Sequence, residues 1–242
     1  MEPCKSILVR TAIFLSFLLA ALPAFSQQPL PVEEHGTVAI NVGEMTDKFG
    51  AFPSVNAADF GLDGQLTLIH AKDGGPNVVV GGELRVPSNT STNPTEFAVF
   101  GGPHFPIGNF SIGFNAQVRK IIMPVAAVDG TTVPRFDFEL LEIPVVLKYK
   151  FGPGHRAFIQ VQGQPEFTPR FRMSHPPSIP VDKPNFDYGY TVRGIVGYNF
   201  GKWYVKGTYE DRIFKFISNQ NNPLNLDNWH STSITGGIGL NF

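Results

Sequence analysis

The stretch Ser231–Phe242, which reads STSITGGIGLNF, decides the fold class predicted for this chain. Its residues alternate between the two faces of an extended strand. One face holds Ile234, Gly236, Ile238, Leu240 and Phe242, and the other holds Ser233, Thr235, Gly237, Gly239 and Asn241. A period of two indicates a β-strand. Apolar residues that alternate with small or polar ones up to a final aromatic residue are typical of the strand that closes an outer-membrane barrel. The alternative is an ordinary strand at the edge of a soluble sheet.

The same stretch resembles the assembly signal of bacterial outer-membrane barrels. Thr235, Gly237, Leu240 and Phe242 stand where that signal has a polar residue, a glycine, a hydrophobic residue and a terminal aromatic residue. The resemblance implies that the chain engages the barrel assembly machinery through its last strand.

The first 26 residues predict a cleaved signal peptide. Lys5 and Arg10 supply positive charge ahead of Thr11–Leu22, which forms a short apolar core. A permanent membrane anchor is the alternative, but the apolar run is short for a membrane span and Pro23 breaks it. The signal peptide would direct export, and cleavage after Ser26 would leave Gln27 as the new N-terminus.

Composition favours one β-rich domain, residues 27–242. Only 16% of the residues are charged, and the chain contains 25 glycines, 22 phenylalanines and 21 prolines, which suit strands and turns. The formal net charge of -1 gives no reason to expect a nucleic-acid partner. The single cysteine, Cys4, lies in the signal peptide, and no histidine pair has metal-ligand spacing, so we expect no disulfide, metal or cofactor.

Alternating segments predict an all-β, antiparallel, up-and-down transmembrane barrel of ten strands. The segments are Gly36–Gly43, Asp59–Ala71, Asn77–Val86, Thr95–Phe105, Asn109–Ile122, Leu141–Phe151, Arg156–Arg172, Phe186–Phe200, Lys202–Phe214 and Ser231–Phe242. Short and long connections alternate between them, and an even strand count places both termini in the periplasm. Eight strands is the alternative if residues 36–43 form a separate flap, or if the third and fourth segments pair irregularly. Residues 95–105 are apolar on both faces, which leaves their register open.

Aromatic residues near the ends of these segments predict two interfacial girdles. The periplasmic girdle would draw on Tyr149, Phe151, Phe200, Trp203, Tyr204 and Phe242. The outer girdle would draw on Phe136, Phe167, Phe171, Phe186, Tyr188, Phe214 and Phe216.

Three short motifs resemble PorT-like outer-membrane β-barrel proteins. They are Leu141–Phe151 (LEIPVVLKYKF), Phe100–Phe105 (FGGPHF) and Arg193–Phe200 (RGIVGYNF). With the last strand they spread over nearly all of residues 27–242. The resemblance implies a small barrel in the bacterial outer membrane, and it implies no shared catalytic residues.

Charged residues on the inward face of the segments predict a network in the lumen. They are Glu83, Arg85, Arg119, Glu142, Lys148, Lys150, Glu166, Arg193, Lys206, Glu210 and Arg212. Their signs nearly balance, so we expect ion pairs, Arg193 with Glu210 among them, that fill a barrel of this width. The alternative is a small wet channel in which these side chains do not meet.

The function that follows is a small, monomeric outer-membrane barrel with a structural, surface-interaction or secretion-accessory role, surrounded by lipid. Two alternatives are a narrow, porin-like channel for small solutes and a membrane-embedded hydrolase. The chain lacks the common hydrolase motifs. The candidate groups for a hydrolase site at one rim are His175 with Ser174, and Glu210 with Asp211. The sequence specifies no ligand.

Overall fold

The computed structural model describes residues 35–50, 54–69, 75–90, 93–124, 135–174, 185–217 and 227–242. The predicted signal peptide and His175 lie outside these residues. Within them the strand segments are β1 (Gly36–Phe49), β2 (Val55–Ile69), β3 (Asn77–Pro87), β4 (Thr95–Ile107), β5 (Phe110–Phe114), β6 (Ala116–Pro124), β7 (Arg135–Glu142), β8 (Val145–Phe151), β9 (Ala157–Ser174), β10 (Asn185–Asn199), β11 (Trp203–Ile217) and β12 (Asn228–Asn241).

These segments form a closed antiparallel barrel of ten strands. Asn115 divides one barrel strand into β5 and β6, and Ile143 and Pro144 divide the next into β7 and β8. Each barrel strand pairs with its neighbours in sequence, and β12 returns to pair with β1. The predicted ten-stranded, up-and-down barrel is therefore confirmed.

The last residue completes the closure. The Gly36 N–H donates to the Phe242 carbonyl at 2.8 Å, and the Phe242 N–H donates to the Gly36 carbonyl at 3.0 Å. The Phe242 ring also covers Gly36, where a Cβ would collide with it. The two ends of the described chain thus meet at one rim, which we call the turn end. It also holds the tight turns at Gly108 and Gly201, where positive φ angles favour glycine. We call the opposite rim, which holds Gly50, the loop end.

The outer surface carries an apolar belt. Large apolar side chains point outward and are exposed on every barrel strand; examples are Ile40, Leu62, Leu84, Val99, Val118, Leu147, Val161, Val192, Tyr209 and Ile238. A soluble protein does not expose apolar surface over its whole circumference, whereas a barrel surrounded by lipid must do so. Among the described residues, no helix is long and apolar enough to cross a membrane.

The strands continue beyond this belt at the loop end, and there the pattern inverts. On β1 the outward residues change from Ile40 and Val42 to Glu44 and Lys48, while Phe49 points inward. This inversion explains why the sequence prediction ended β1 at Gly43 and began β2 at Asp59. The predicted long connection, residues 44–58, is mostly strand. Arg135, which ended a predicted long connection, and residues 136–140, which the prediction assigned to no strand, belong to β7 for the same reason.

Candidate functional site

The lumen is built in three layers, which can be read along the inward face of β11. Phe214 and Phe216 lie at the loop end, Arg212 and Glu210 lie in the middle, and Lys206 lies toward the turn end. We call these the aromatic layer, the ion layer and the turn-end cavity. Alternate residues of one strand therefore enter three different environments.

The ion layer comprises Asp59, Glu83, Arg85, Glu96, Arg119, Glu142, Arg193, Glu210 and Arg212. Arg119 is fully buried and contacts three carboxylates: Glu83 at 2.5 Å, Glu96 at 2.6 Å and Glu142 at 3.1 Å. Arg193 lies opposite Glu210 in the β10–β11 register, and its Nε donates to Glu210 Oε2 at 2.7 Å. The cross-strand pair predicted from the sequence is present.

Several ion pairs cross the lumen from one wall to the other. Arg212 on β11 contacts Glu96 on β4 at 2.6 Å, and Arg193 on β10 contacts Glu83 on β3 at 2.8 Å. In each pair the two strands are separated by four barrel strands in either direction, so they face each other across the barrel. Arg85 on β3 also reaches Glu210 on β11 at 2.7 Å. These side chains meet in the middle of the lumen and obstruct it.

The geometry of the ion layer meets the conditions for burying charge. Burial of an unpaired ion is strongly unfavourable, but opposite charges with well-formed hydrogen bonds offset much of that cost. Arg85 donates to both Asp59 and Glu210, and Arg212 donates to Thr191, Glu96 and Glu210. Gln117 donates to Glu142 beside Arg119. The layer is therefore a dense, mutually bonded set of side chains.

The aromatic layer closes the lumen at the loop end. Phe49, Ile121, Phe138, Leu140, Phe214, Phe216 and Trp229 form one buried apolar cluster, with Phe186 packed against it. The Trp229 ring lies 4.8 Å from the Phe214 ring, and its Nε1 donates to Asp47 at 3.1 Å. The Arg212 guanidinium lies 5.6 Å from the Trp229 ring centre, which joins the aromatic layer to the ion layer.

The turn-end cavity remains open, with a volume of about 180 Å³. Lys148, Lys150, Lys206 and Arg156 line it, together with amide side chains such as Gln160. On its inner side it reaches Glu83 and Arg193 of the ion layer. Within the described residues, it is a polar recess bounded by the ion layer.

The structure places the charged residues predicted for the lumen in different parts of it. Glu83, Arg85, Arg119, Glu142, Arg193, Glu210 and Arg212 belong to the ion layer, and Lys148, Lys150 and Lys206 line the turn-end cavity. Glu166 is buried and accepts a 2.8 Å hydrogen bond from the Thr191 hydroxyl.

Sequence reasoning missed Asp59, Asp63 and Glu96. Glu96 is fully buried and joins Arg119 to Arg212, yet it lies in the segment whose register was left open. The signal was present, because a lone carboxylate in an otherwise apolar membrane strand can only face inward. Fixing Glu96 inward would also have placed Phe97 and Val99 against lipid, where both are exposed.

Two expectations are wrong. Phe214 and Phe216, assigned to the outer girdle, are buried in the lumen, and Tyr204, assigned to the periplasmic girdle, is buried against Gly239. All three lie on β11 at an even number of residues from Glu210, which faces inward. Because side chains alternate along a strand, these three must face inward as well. Glu210 and Asp211, paired in the hydrolase alternative, lie on opposite faces of β11. Asp211 contacts His230 instead, at 2.6 Å.

Comparison with known proteins identifies the class of fold. No protein-family model matches the chain, and no curated protein matches it. Among solved structures, the outer-membrane protease OmpT from Escherichia coli matches with a TM-score of 0.51 and 12% identity, over 88% of this chain and 99% of OmpT. Neisserial surface protein A matches with a TM-score of 0.42 and 11% identity, over 86% of this chain and 98% of that one. Closed topology, apolar belt and structural likeness agree: the chain has the fold of the bacterial outer-membrane β-barrels.

Proposed function

We propose that this protein is a monomeric, non-conducting outer-membrane barrel that acts at its ends, in surface interaction or as an accessory to secretion. The observation that carries the proposal is the filled lumen. Ion pairs join opposite walls, and an apolar cluster lies beyond them toward the loop end. A solute crossing the barrel would have to break both layers, so the lumen is poorly suited to transport.

At the loop end, the strands extend beyond the apolar belt and surround a buried core. Beyond the apolar belt the strands expose polar residues such as Glu44, Lys48 and His230, and they enclose the aromatic layer as a core of their own. A polar rim of this kind beyond the apolar belt is suited to contact with another molecule. Membership of the PorT-like family is part of the proposal and rests on the three short motifs.

The proposal includes no catalytic role. Glu210, which one form of the hydrolase alternative paired with Asp211, contacts Arg85, Arg193 and Arg212. A buried carboxylate bonded to three guanidinium groups is placed to hold the ion layer together, and not to face a substrate.

The narrow channel is the second candidate, because the turn-end cavity already opens part of the lumen. Planar-bilayer recording separates the two. We expect the wild-type barrel to show no steady conductance. Arg193→Ala removes one side of a pair that crosses the lumen, so we expect it to introduce flickering currents. A large, stable conductance in the wild type, unchanged by Arg193→Ala, would refute the filled lumen and favour the channel.

A further inference from the structure

The turn-end cavity is kept open by the way aromatic side chains lie in it. The rings of Phe100, Phe158 and Tyr204 lie against glycines of neighbouring strands, so close that a Cβ at Gly81, Gly197 or Gly239 would overlap them. Rings that lie flat on the wall leave the middle of the lumen free. The cavity therefore results from how the side chains pack at the turn end. The ion layer and the aromatic layer, by contrast, are filled.

The charge of the cavity is unbalanced. Five cationic side chains line it, namely Lys148, Lys150, Arg156, Arg193 and Lys206, against two carboxylates, Asp63 and Glu83. Both carboxylates are already engaged: Asp63 accepts from Lys206 at 2.5 Å, and Glu83 contacts Arg119 at 2.5 Å and Arg193 at 2.8 Å. Cations therefore outnumber carboxylates along the wall of the cavity, in a place where the protein limits screening by solvent.

Donors also converge on the cavity. Arg156 has a buried Nη2 without a hydrogen-bond partner among the described residues, and a buried charged donor left in that state is unfavourable. The Lys148 ammonium is held 4.7 Å from the centre of the Phe158 ring, which fixes it at the cavity wall. An anionic oxygen that entered the recess would meet cationic side chains along its wall.

We propose that the turn-end cavity binds a small organic anion that carries a phosphate or more than one carboxylate. The volume suits such a solute, and the excess of cations on the wall, Arg156 among them, supplies the attraction. Because the ion layer bounds the recess on its inner side, the site takes its ligand from the turn end, which faces the periplasm. This site goes beyond the role proposed above, since a barrel that conducts nothing can still bind a solute from one side.

Isothermal titration calorimetry of the purified barrel in detergent tests the proposal. Citrate and glucose 6-phosphate are the probes, and glucose is the matched neutral compound. We expect at least one of the anions to bind at a single saturable site and glucose to give no signal. The two anions distinguish a preference for carboxylates from one for phosphate.

Two substitutions locate the site. Arg156→Gln should weaken binding roughly tenfold or more, because it removes a charged donor from the cavity. Lys48→Gln, on the exposed outer face at the loop end, should leave binding unchanged. If Arg156→Gln does not fold, Lys150→Gln takes its place. Absence of binding by both anions, or equal weakening by the cavity variant and by Lys48→Gln, would overturn the site.

Discussion

Replacing Arg119 by alanine should destabilise the barrel more than any change at its rims. Arg119 is fully buried and contacts Glu83, Glu96 and Glu142. After the substitution Glu83 keeps Arg193, and Glu96 keeps Arg212, but among the described residues Glu142 keeps only its hydrogen bond from the neutral Gln117. Removal of one partner from a buried ion pair costs about 3–5 kcal/mol. With a urea dependence of about 2 kcal/mol per molar, the unfolding midpoint should fall by about 2 M.

Urea unfolding in lipid vesicles, followed by tryptophan fluorescence, measures this shift. Lys48→Ala is the control, since it removes a charged side chain that is exposed on the outer face at the loop end, and it should change the free energy of unfolding by about 0.5 kcal/mol or less. Arg119→Lys keeps the charge but cannot reach all three carboxylates, so its midpoint should lie between the two. Equal midpoints for Arg119→Ala and Lys48→Ala would show that the ion layer does not stabilise the barrel.

Three further predictions concern the barrel as a whole. Unboiled protein should migrate differently from boiled protein in SDS gels, because a closed barrel has no free strand edge from which detergent can unravel it; identical mobilities would contradict closure. Deletion of Phe242 should lower the amount of protein in the outer membrane, because it removes the hydrogen bonds to Gly36. The control Ile217→Ala, at an exposed site of the loop end, should leave that amount unchanged. Unchanged levels after the deletion would count against the proposed assembly signal. Brominated lipids should quench the fluorescence of Trp203, which faces outward, and spare that of Trp229, which is buried in the lumen. The variants Trp229→Phe and Trp203→Phe each leave one tryptophan, so the two can be measured separately. The reverse pattern would show that the faces are misassigned.

The fold could be predicted because strand alternation is a local property. Ile238, Leu240 and Phe242 are exposed on the outer surface, where the pattern of the last strand puts them. Phe200 stacks on Trp203 at the turn end, 4.2 Å between ring centres, as the aromatic positions suggested. Each of these inferences needs only two facts: which face of its strand a residue occupies, and how far it lies from a turn.

The layers of the lumen could not be predicted in the same way, because they depend on which strands face each other. The sequence separates Glu96 from Arg212 by more than a hundred residues, and their contact follows from the closure of a ten-stranded ring. Alternation alone puts Phe214 and Arg212 on one face, but it does not reveal that the lipid boundary lies between Tyr209 and Asp211. Beyond that boundary water, not lipid, surrounds the strands, so apolar side chains turn to the inside.

The ion pairs that join opposite walls also constrain how the chain assembles. In an open sheet of the same strands, Arg193 and Glu83 are held far apart, as are Arg212 and Glu96, and each charge must remain in contact with water. The charges lose this hydration at little cost only when the last strand meets the first. Insertion strand by strand would carry unpaired charges into the bilayer, whereas closure in a single cooperative step brings each charge to its partner as water leaves.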